Sequence, residues 1–175
     1  MKDAFPLVGK SVKLTLFNQA DITDEYIGWL NDPLVMRFSN QRFKAHDRVS
    51  CTRYLSSFDG TPNLFASVRR LDEDQAIGTM TAYISPHHGT ADVGIMIGER
   101  SVWGHGYGQD AWSTLVDFLI AQPGMRKITC GTLACNEPMI RLAERSGMEL
   151  EARRRDQELV DGAPVDILYF ARFAG

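Results

Sequence analysis

The chain has 175 residues, is 44% hydrophobic and 23% charged, and carries a formal net charge of −3. That length suits one domain with a good core, and the composition is ordinary for a globular protein. Mild acidity gives no basic face for nucleic acid, no apolar run approaches the ~18 residues of a membrane span, and the MKDAFPLVGK start has no apolar signal core. Cys51, Cys130 and Cys135 are odd in number and lack metal spacing, so they read as reduced thiols of a cytoplasmic protein with no metal.

Lys10 to Phe17 alternates, with Val12, Leu14 and Leu16 on one side, and reads as a half-buried strand. Thr23 can cap a helix that carries Tyr26, Ile27, Trp29 and Leu30 and stops at Asp32-Pro33. Asp47 can cap a second helix with Val49, Tyr54, Leu55 and Phe58, broken by Asp59-Gly60-Thr61-Pro62. Strands follow at Leu64–Arg69, Ala76–Ile84 and Val93–Ile97. Short turns join them, which implies an antiparallel meander. A glycine-rich turn, Trp103 to Gly108, leads into an amphipathic helix with Ala111, Leu115, Phe118 and Leu119 near one face. Lys127–Leu133 is a strand reached through that helix and so runs parallel to the Val93 strand. A short helix, Glu137–Ser146, is closed by Gly147. Met148–Glu158 and Pro164–Arg172 form a final hairpin around Asp161-Gly162.

The strand, glycine turn and helix from Asp92 to Leu119 make an anion site. Glycines let backbone N–H groups turn toward a ligand, and a helix N-terminus adds unpaired donors and partial positive charge. The turn is not the dinucleotide fingerprint, because its third glycine comes one residue early. Nor does it end in the Gly-Lys-Ser/Thr of a nucleotide hydrolase. The readings that remain are a pyrophosphate arm such as that of coenzyme A, or a tight connection with no ligand.

Trp103-Gly104-His105-Gly106-Tyr107-Gly108 resembles motif A of the GNAT superfamily of acyl-CoA N-acetyltransferases, in the W-G-x-G-Y-G form of the RimJ/RimL-like branch. Lys127-Ile128, Asn136, Ile140 and Ser146-Gly147-Met148 are similar to a downstream segment of that branch. Trp29-Leu30-Asn31-Asp32-Pro33 is similar to its W-x-N-D-P helix end. The resemblance implies a mixed α+β fold in one domain, residues 1–175. Its mostly antiparallel twisted sheet has about seven strands, splayed into a V between strands 4 and 5 and flanked by about four helices.

The same resemblance implies acetyl-CoA as donor. The pantetheine arm pairs along Ile95, Met96 and Ile97, with the Met96 or Ile97 N–H on the thioester oxygen. The pyrophosphate lies on the amides of Gly104, Gly106, Tyr107 and Gly108, among Trp103, His105 and Gln109. Asn136 bonds the pantetheine or caps its helix, and Arg141 reaches the 3′-phosphate or stays on an exposed face. Asp92, four residues before Met96 and on its side of the strand, is either the general base or an exposed strand carboxylate. Trp29, Asn31, Arg37 and His87 belong to the acceptor region, each with a plainer packing or solvated reading. The family's tyrosine acid has no counterpart, since its position is Ala143. The implied activity is acetyl transfer to a primary amine of a protein N-terminus or a small molecule, by a monomer or homodimer without nucleic acid or membrane. An aminosugar acceptor, or a silent acyl-CoA-binding module, is the alternative.

Overall fold

The computed structural model describes residues Met1 to Gly175. One sheet contains β1 (Leu7–Val8), β2 (Val12–Leu16), β3 (Leu64–Arg70), β4 (Ala76–Ser85), β5 (Thr90–Ile97), β6 (Lys127–Leu133), β7 (Glu149–Val160) and β8 (Ala163–Phe173). The strand order is β1-β2-β3-β4-β5-β6-β8-β7. The helices are α1 (Asp24–Asn31), α2 (Arg48–Ser56), α3 (Tyr107–Ile120) and α4 (Glu137–Arg145). The sequence pattern misses only β1. Its two residues, pairing Leu7 with Leu14, are too few to show alternation. The splay therefore falls between the fifth and sixth strands rather than the fourth and fifth.

Only β5 and β6 run parallel; every other neighbouring pair is antiparallel. These two strands pair over Thr90–Asp92 and Lys127–Thr129 and then part. β4 still covers the other edge of β5 through Ile97, and β8 covers the other edge of β6 through Leu133. The result is a slot between β5 residues 93–97 and β6 residues 130–133.

Helices cover both faces of the sheet. α3 buries Ala111, Trp112, Leu115, Val116 and Leu119 in the main core, which also takes in Val93, Ile128, Cys130, Ala143 and Met148. A second, smaller core of Phe17, Ile22, Tyr26, Cys51, Phe58 and Phe65 lies on the α1–α2 side. Alternation along β5 divides its side chains: Val93, Ile95 and Ile97 pack toward α3, while Met96 packs against the smaller core. Full burial of side chains such as Leu115 and Leu119 stabilises by about 1.5–3 kcal/mol each, which holds the start of α3 firmly beside the slot. Thr23 Oγ1 accepts from the Tyr26 amide at 3.2 Å and Asp47 Oδ1 from the Ser50 amide at 2.7 Å, so both expected caps form. No helix is long and apolar enough to cross a membrane.

Candidate cofactor and acyl-transfer site

The free edge of β5 can be read from its pairing. Gly98 donates to the Ile77 carbonyl at 2.9 Å, and the β4–β5 register pairs Thr79 with Met96 and Thr81 with Gly94. Antiparallel strands alternate the side to which a residue's N–H and C=O point. Met96 and Gly94 therefore turn their backbone to β4, and Val93, Ile95 and Ile97 turn theirs to the slot. The parallel side agrees, since Arg126 and Lys127 donate to the carbonyl of Gly89, another odd-numbered residue. Of the two amides expected at a thioester oxygen, Ile97 faces the slot and Met96 does not. The Ile97 carbonyl is already engaged: Trp103, 43% exposed, donates its indole Nε1 to it at 2.8 Å.

Beyond Ile97 the chain forms a short turn, Arg100–Val102, and then the glycine loop. Gly104 and Gly106 have φ of +81° and +85°, a left-handed conformation that side chains resist. A Cβ at either would meet no protein atom within 4 Å, so open space lies in front of them. Gly106 is the N-cap of α3 and offers no side-chain acceptor. The N–H groups of Gly104, Gly106, Tyr107, Gly108 and Gln109 have no protein acceptor. Five free donors on six consecutive residues, at the positive end of a fourteen-residue helix, fit a diphosphate. The exception is His105, whose amide reaches the Val102 carbonyl at 3.4 Å and whose Nδ1 lies 3.0 Å from the Trp103 carbonyl.

Asp110 stands in the first turn of α3, where its charge could compete for those donors. Its carboxylate is drawn off instead by the amides of Lys10 (3.0 Å), Ser11 (2.7 Å) and Val12 (3.1 Å) and by Ser11 Oγ (3.0 Å). Burial alone would raise its pKa, but these bonds outweigh it and hold the carboxyl below its ordinary value. The Gln109 side chain is also turned away, donating to Ser146 Oγ at 2.8 Å, so only its backbone serves the loop. Asn136 caps α4, its Oδ1 accepting from the Met139 amide at 3.4 Å, and its side-chain Nδ2 has no partner. Arg141 is exposed and pairs with Glu137 at 3.0 Å.

Asp92 lies at the apex of the splay. Thr129, its partner across the last β5–β6 pair, donates Oγ1 to Asp92 Oδ1 at 2.7 Å. The side chain is exposed, yet surrounding protein pushes the carboxyl above its ordinary value, an effect the Thr129 bond partly reverses. Cys130, next along β6, points the other way. Its thiol is fully buried, 3.9 Å from the Met148 sulfur, and is pushed up to about 12 by burial and then by the Asp92 charge. It is no nucleophile at neutral pH. Ala143 is fully buried in the main core, so a larger side chain there would meet packed atoms.

The expected acceptor residues separate. Trp29 packs on the backbone of Gly98, where a Cβ would lie 2.2 Å from the indole. With Asp32, Glu99, Arg100 and Ser101 it lines an open recess of about 530 Å³ beside the end of β5. Asn31 is a clamp rather than a free ligand: it donates to the carbonyls of Ile27 (3.1 Å) and His46 (2.8 Å) and accepts from the His46 amide (2.9 Å). Arg37 is exposed and lies 5.3 Å from the Phe38 ring centre. His87 is exposed in the β4–β5 turn, at the end where β5 and β6 still pair, five residues before Asp92. The pattern of the sequence did not single out Phe38, Asn40, Glu158 and Tyr169. They line a second cavity of about 230 Å³ with Gly131, Thr132, Leu133 and Ile167, on the β6 side of the slot.

The family model of the acetyltransferase (GNAT) domain matches residues 12–149. The chain belongs to the GNAT acetyltransferase family. Membership makes it an acyl-CoA-dependent N-acetyltransferase. Solved GNAT structures share the fold at low identity. An acetyltransferase from Bacillus anthracis is 15% identical, with a TM-score of 0.81 over 96% of this chain and 98% of that one. The ribosomal L7/L12 alpha-N-protein acetyltransferase RimL, in complex with coenzyme A, is 13% identical, with a TM-score of 0.81 over 96% of each chain. Spermidine N-acetyltransferase from Vibrio cholerae, in complex with CoA and spermine, is 15% identical, with a TM-score of 0.82 over 94% of this chain and 96% of that one. No curated protein matches the sequence. In this GNAT chain the glycine loop, the free β5 edge and Asp92 all border one slot.

Proposed function

We propose that residues 1–175 form one transferase domain that moves an acetyl group from acetyl-CoA to a primary amine of a protein N-terminus or small molecule. The observation that carries the reading is the run of free amides at Gly104, Gly106, Tyr107, Gly108 and Gln109, directly beyond a strand edge with unpaired amides. The W-G-x-G-Y-G loop supports placing the chain in the RimJ/RimL-like branch. Reduced cysteines, two of them buried, suit the cytoplasm.

Acetyl-CoA, when bound, supplies an activated acetyl thioester. The loop amides would hold its diphosphate. The slot-facing groups of Ile95 and the Ile97 N–H would hold its arm as an added strand. A slot-facing N–H placed where negative charge develops contributes on the order of 3 kcal/mol to the transition state. Asn136 has a free amide nitrogen directed by its capping role, and Arg141 would have to leave Glu137 to reach a nucleotide phosphate.

The acceptor must be neutral to attack. A lysine-type amine of pKa about 10.4 costs about 4.6 kcal/mol to neutralise at pH 7, and an α-amine near 7.8 costs about 1 kcal/mol. Asp92 takes that proton. At about 3.4 Å per residue, its Cα lies roughly 10 Å from that of Ile95 and roughly 17 Å from that of Ile97, so the transfer runs through water. Thr129 orients the carboxylate. Ala143 offers the thiolate no hydroxyl acid on α4, and water protonates it.

The test is thiol release from acetyl-CoA over a panel of peptide α-amines, alkylamines and aminosugars. Turnover with any of them supports the reading. Stabilisation by acetyl-CoA without turnover on any amine would favour a silent binding module, and the absence of both would defeat the two together.

A further inference from the structure

The second cavity differs in kind from the cofactor slot. Its floor is β6 beyond the splay, Gly131 to Leu133, and its cover is the loop that carries Phe38 and Asn40. Gly131 has no side chain, and a Cβ there would come 3.1 Å from the Tyr169 ring, so that ring lies over bare backbone. Gly131 follows Thr129 by two residues on the same face of β6, about 7 Å along the strand. A molecule whose amine is served by Asp92 can therefore run along β6 past the Tyr169 ring, which covers Gly131. Its far end meets Glu158.

Glu158 is the one charged side chain in that lining. It is half-buried, and its only hydrogen bond is with a neutral group: Asn40 Nδ2 donates to Oε1 at 3.0 Å. No cation lies within ion-pair distance of it, although arginines are near. Arg42 is committed to the carbonyls of Ser39 and Leu159, and Arg154 sits 5.2 Å from the Tyr169 ring centre. By contrast Asp166, also on the β7–β8 hairpin, is paired with Arg153. Glu158 thus keeps one carboxylate oxygen free, at the end of a cavity walled by Phe38, Leu133, Ile167 and Tyr169. The cavity, about 230 Å³, has room for a short-chain guest.

We propose that this cavity is an acceptor subsite that selects an amine with an apolar chain and a distal cationic group, gripped by Glu158. The proposal rests on the acetyltransferase reading for its use of Asp92, but it can be tested by binding alone. Three amines of matched length probe it: hexane-1,6-diamine, hexylamine and 6-aminohexanoate, whose distal ends are cationic, neutral and anionic. Calorimetry with the full chain should give tightest binding to the diamine and weakest to the aminohexanoate. A partly exposed ion pair makes each step about twofold to fivefold. Glu158→Gln should remove the diamine's advantage and leave hexylamine unchanged. Phe38→Ala should weaken all three alike. In turnover, Glu158→Gln should raise KM for the diamine with kcat unchanged. Equal affinity for the three amines, no measurable binding of the diamine, or a Glu158→Gln effect that is the same on hexylamine and diamine would overturn the proposal. Failure of the enzyme reading looks different: no acetyl-CoA affinity and no thiol release, whatever the order among the amines.

Discussion

Replacing Asp92 with Asn keeps side-chain size and leaves an oxygen for Thr129 Oγ1, now 2.7 Å away, while removing the charge. Burial raises the Asp92 carboxyl above its ordinary value, and only the Thr129 bond opposes it. A carboxyl whose folded pKa exceeds its unfolded value, about 3.9, binds its proton more tightly in the native state. Stability therefore falls as pH rises from that value through the folded pKa, and the deficit persists at pH 7. Asp92→Asn should thus melt higher than the parent at pH 7, with the gap closing as pH falls toward 4. Its turnover of a lysine-type amine should drop by about 10²–10⁴, the range for a general base. Thr129→Val, which removes the opposing bond, should move the acidic limb of the kcat/KM profile upward. Scanning calorimetry across pH, with steady-state rates on the same variants, checks both halves. A parental pH–rate profile in Asp92→Asn, or a lower Tm at pH 7, would refute the reasoning.

Gly106→Val places a branched side chain at φ +85°, where no protein atom opposes its Cβ. It should cost about 1–2 kcal/mol of stability and weaken acetyl-CoA by at least about tenfold in calorimetry, because the new atoms occupy the approach to the free amides. Unchanged affinity would remove the loop from the site. Asp110→Asn should lower the urea midpoint at pH 7 by the equivalent of about 1–3 kcal/mol, since charge-assisted bonds to residues 10–12 are lost. The Asp110 carboxyl is held low, so its stabilisation is present above the unfolded pKa and is lost as pH falls through the folded one. The variant's deficit should accordingly shrink below about pH 4. Gly98→Ala should cost about 1–3 kcal/mol by forcing Trp29 from the β5 backbone. The cost should largely vanish in a Trp29→Ala background, a coupling that urea unfolding of the four-member cycle measures.

Local chemistry made most of the fold legible. Alternation marked β2, short turns bounded β4 and β5, and Thr23, Asp47 and Gly147 punctuated helices as their side chains and φ values require. β1 escaped because two residues carry no period. The anion loop could be read for a similar reason: glycine spacing and a helix start are local facts. What could not be read was pairing across distance. No pattern in the chain joins Thr129 to Asp92, or Glu158 to Asn40 across 118 residues. Asn31 illustrates the reverse error. Its place in the W-L-N-D-P segment suggested an acceptor contact, but the fold uses both ends of its amide to fasten His46. Likewise the choice between the Met96 and Ile97 amides depended on strand parity, which only the register with β4 supplies.

The contact between Asp110 and residues 10–12 gives the amino-terminal segment a part in anion recognition that it never touches directly. While that turn is docked, the one acid in the first turn of α3 is kept occupied elsewhere. Were a fusion partner or a deletion to pry residues 1–12 loose, the same carboxylate would become a tethered rival for the loop, present at an effective concentration in the millimolar range. An engineered amino terminus could then weaken coenzyme affinity with every loop residue intact, and the deficit would be relieved by Asp110→Asn.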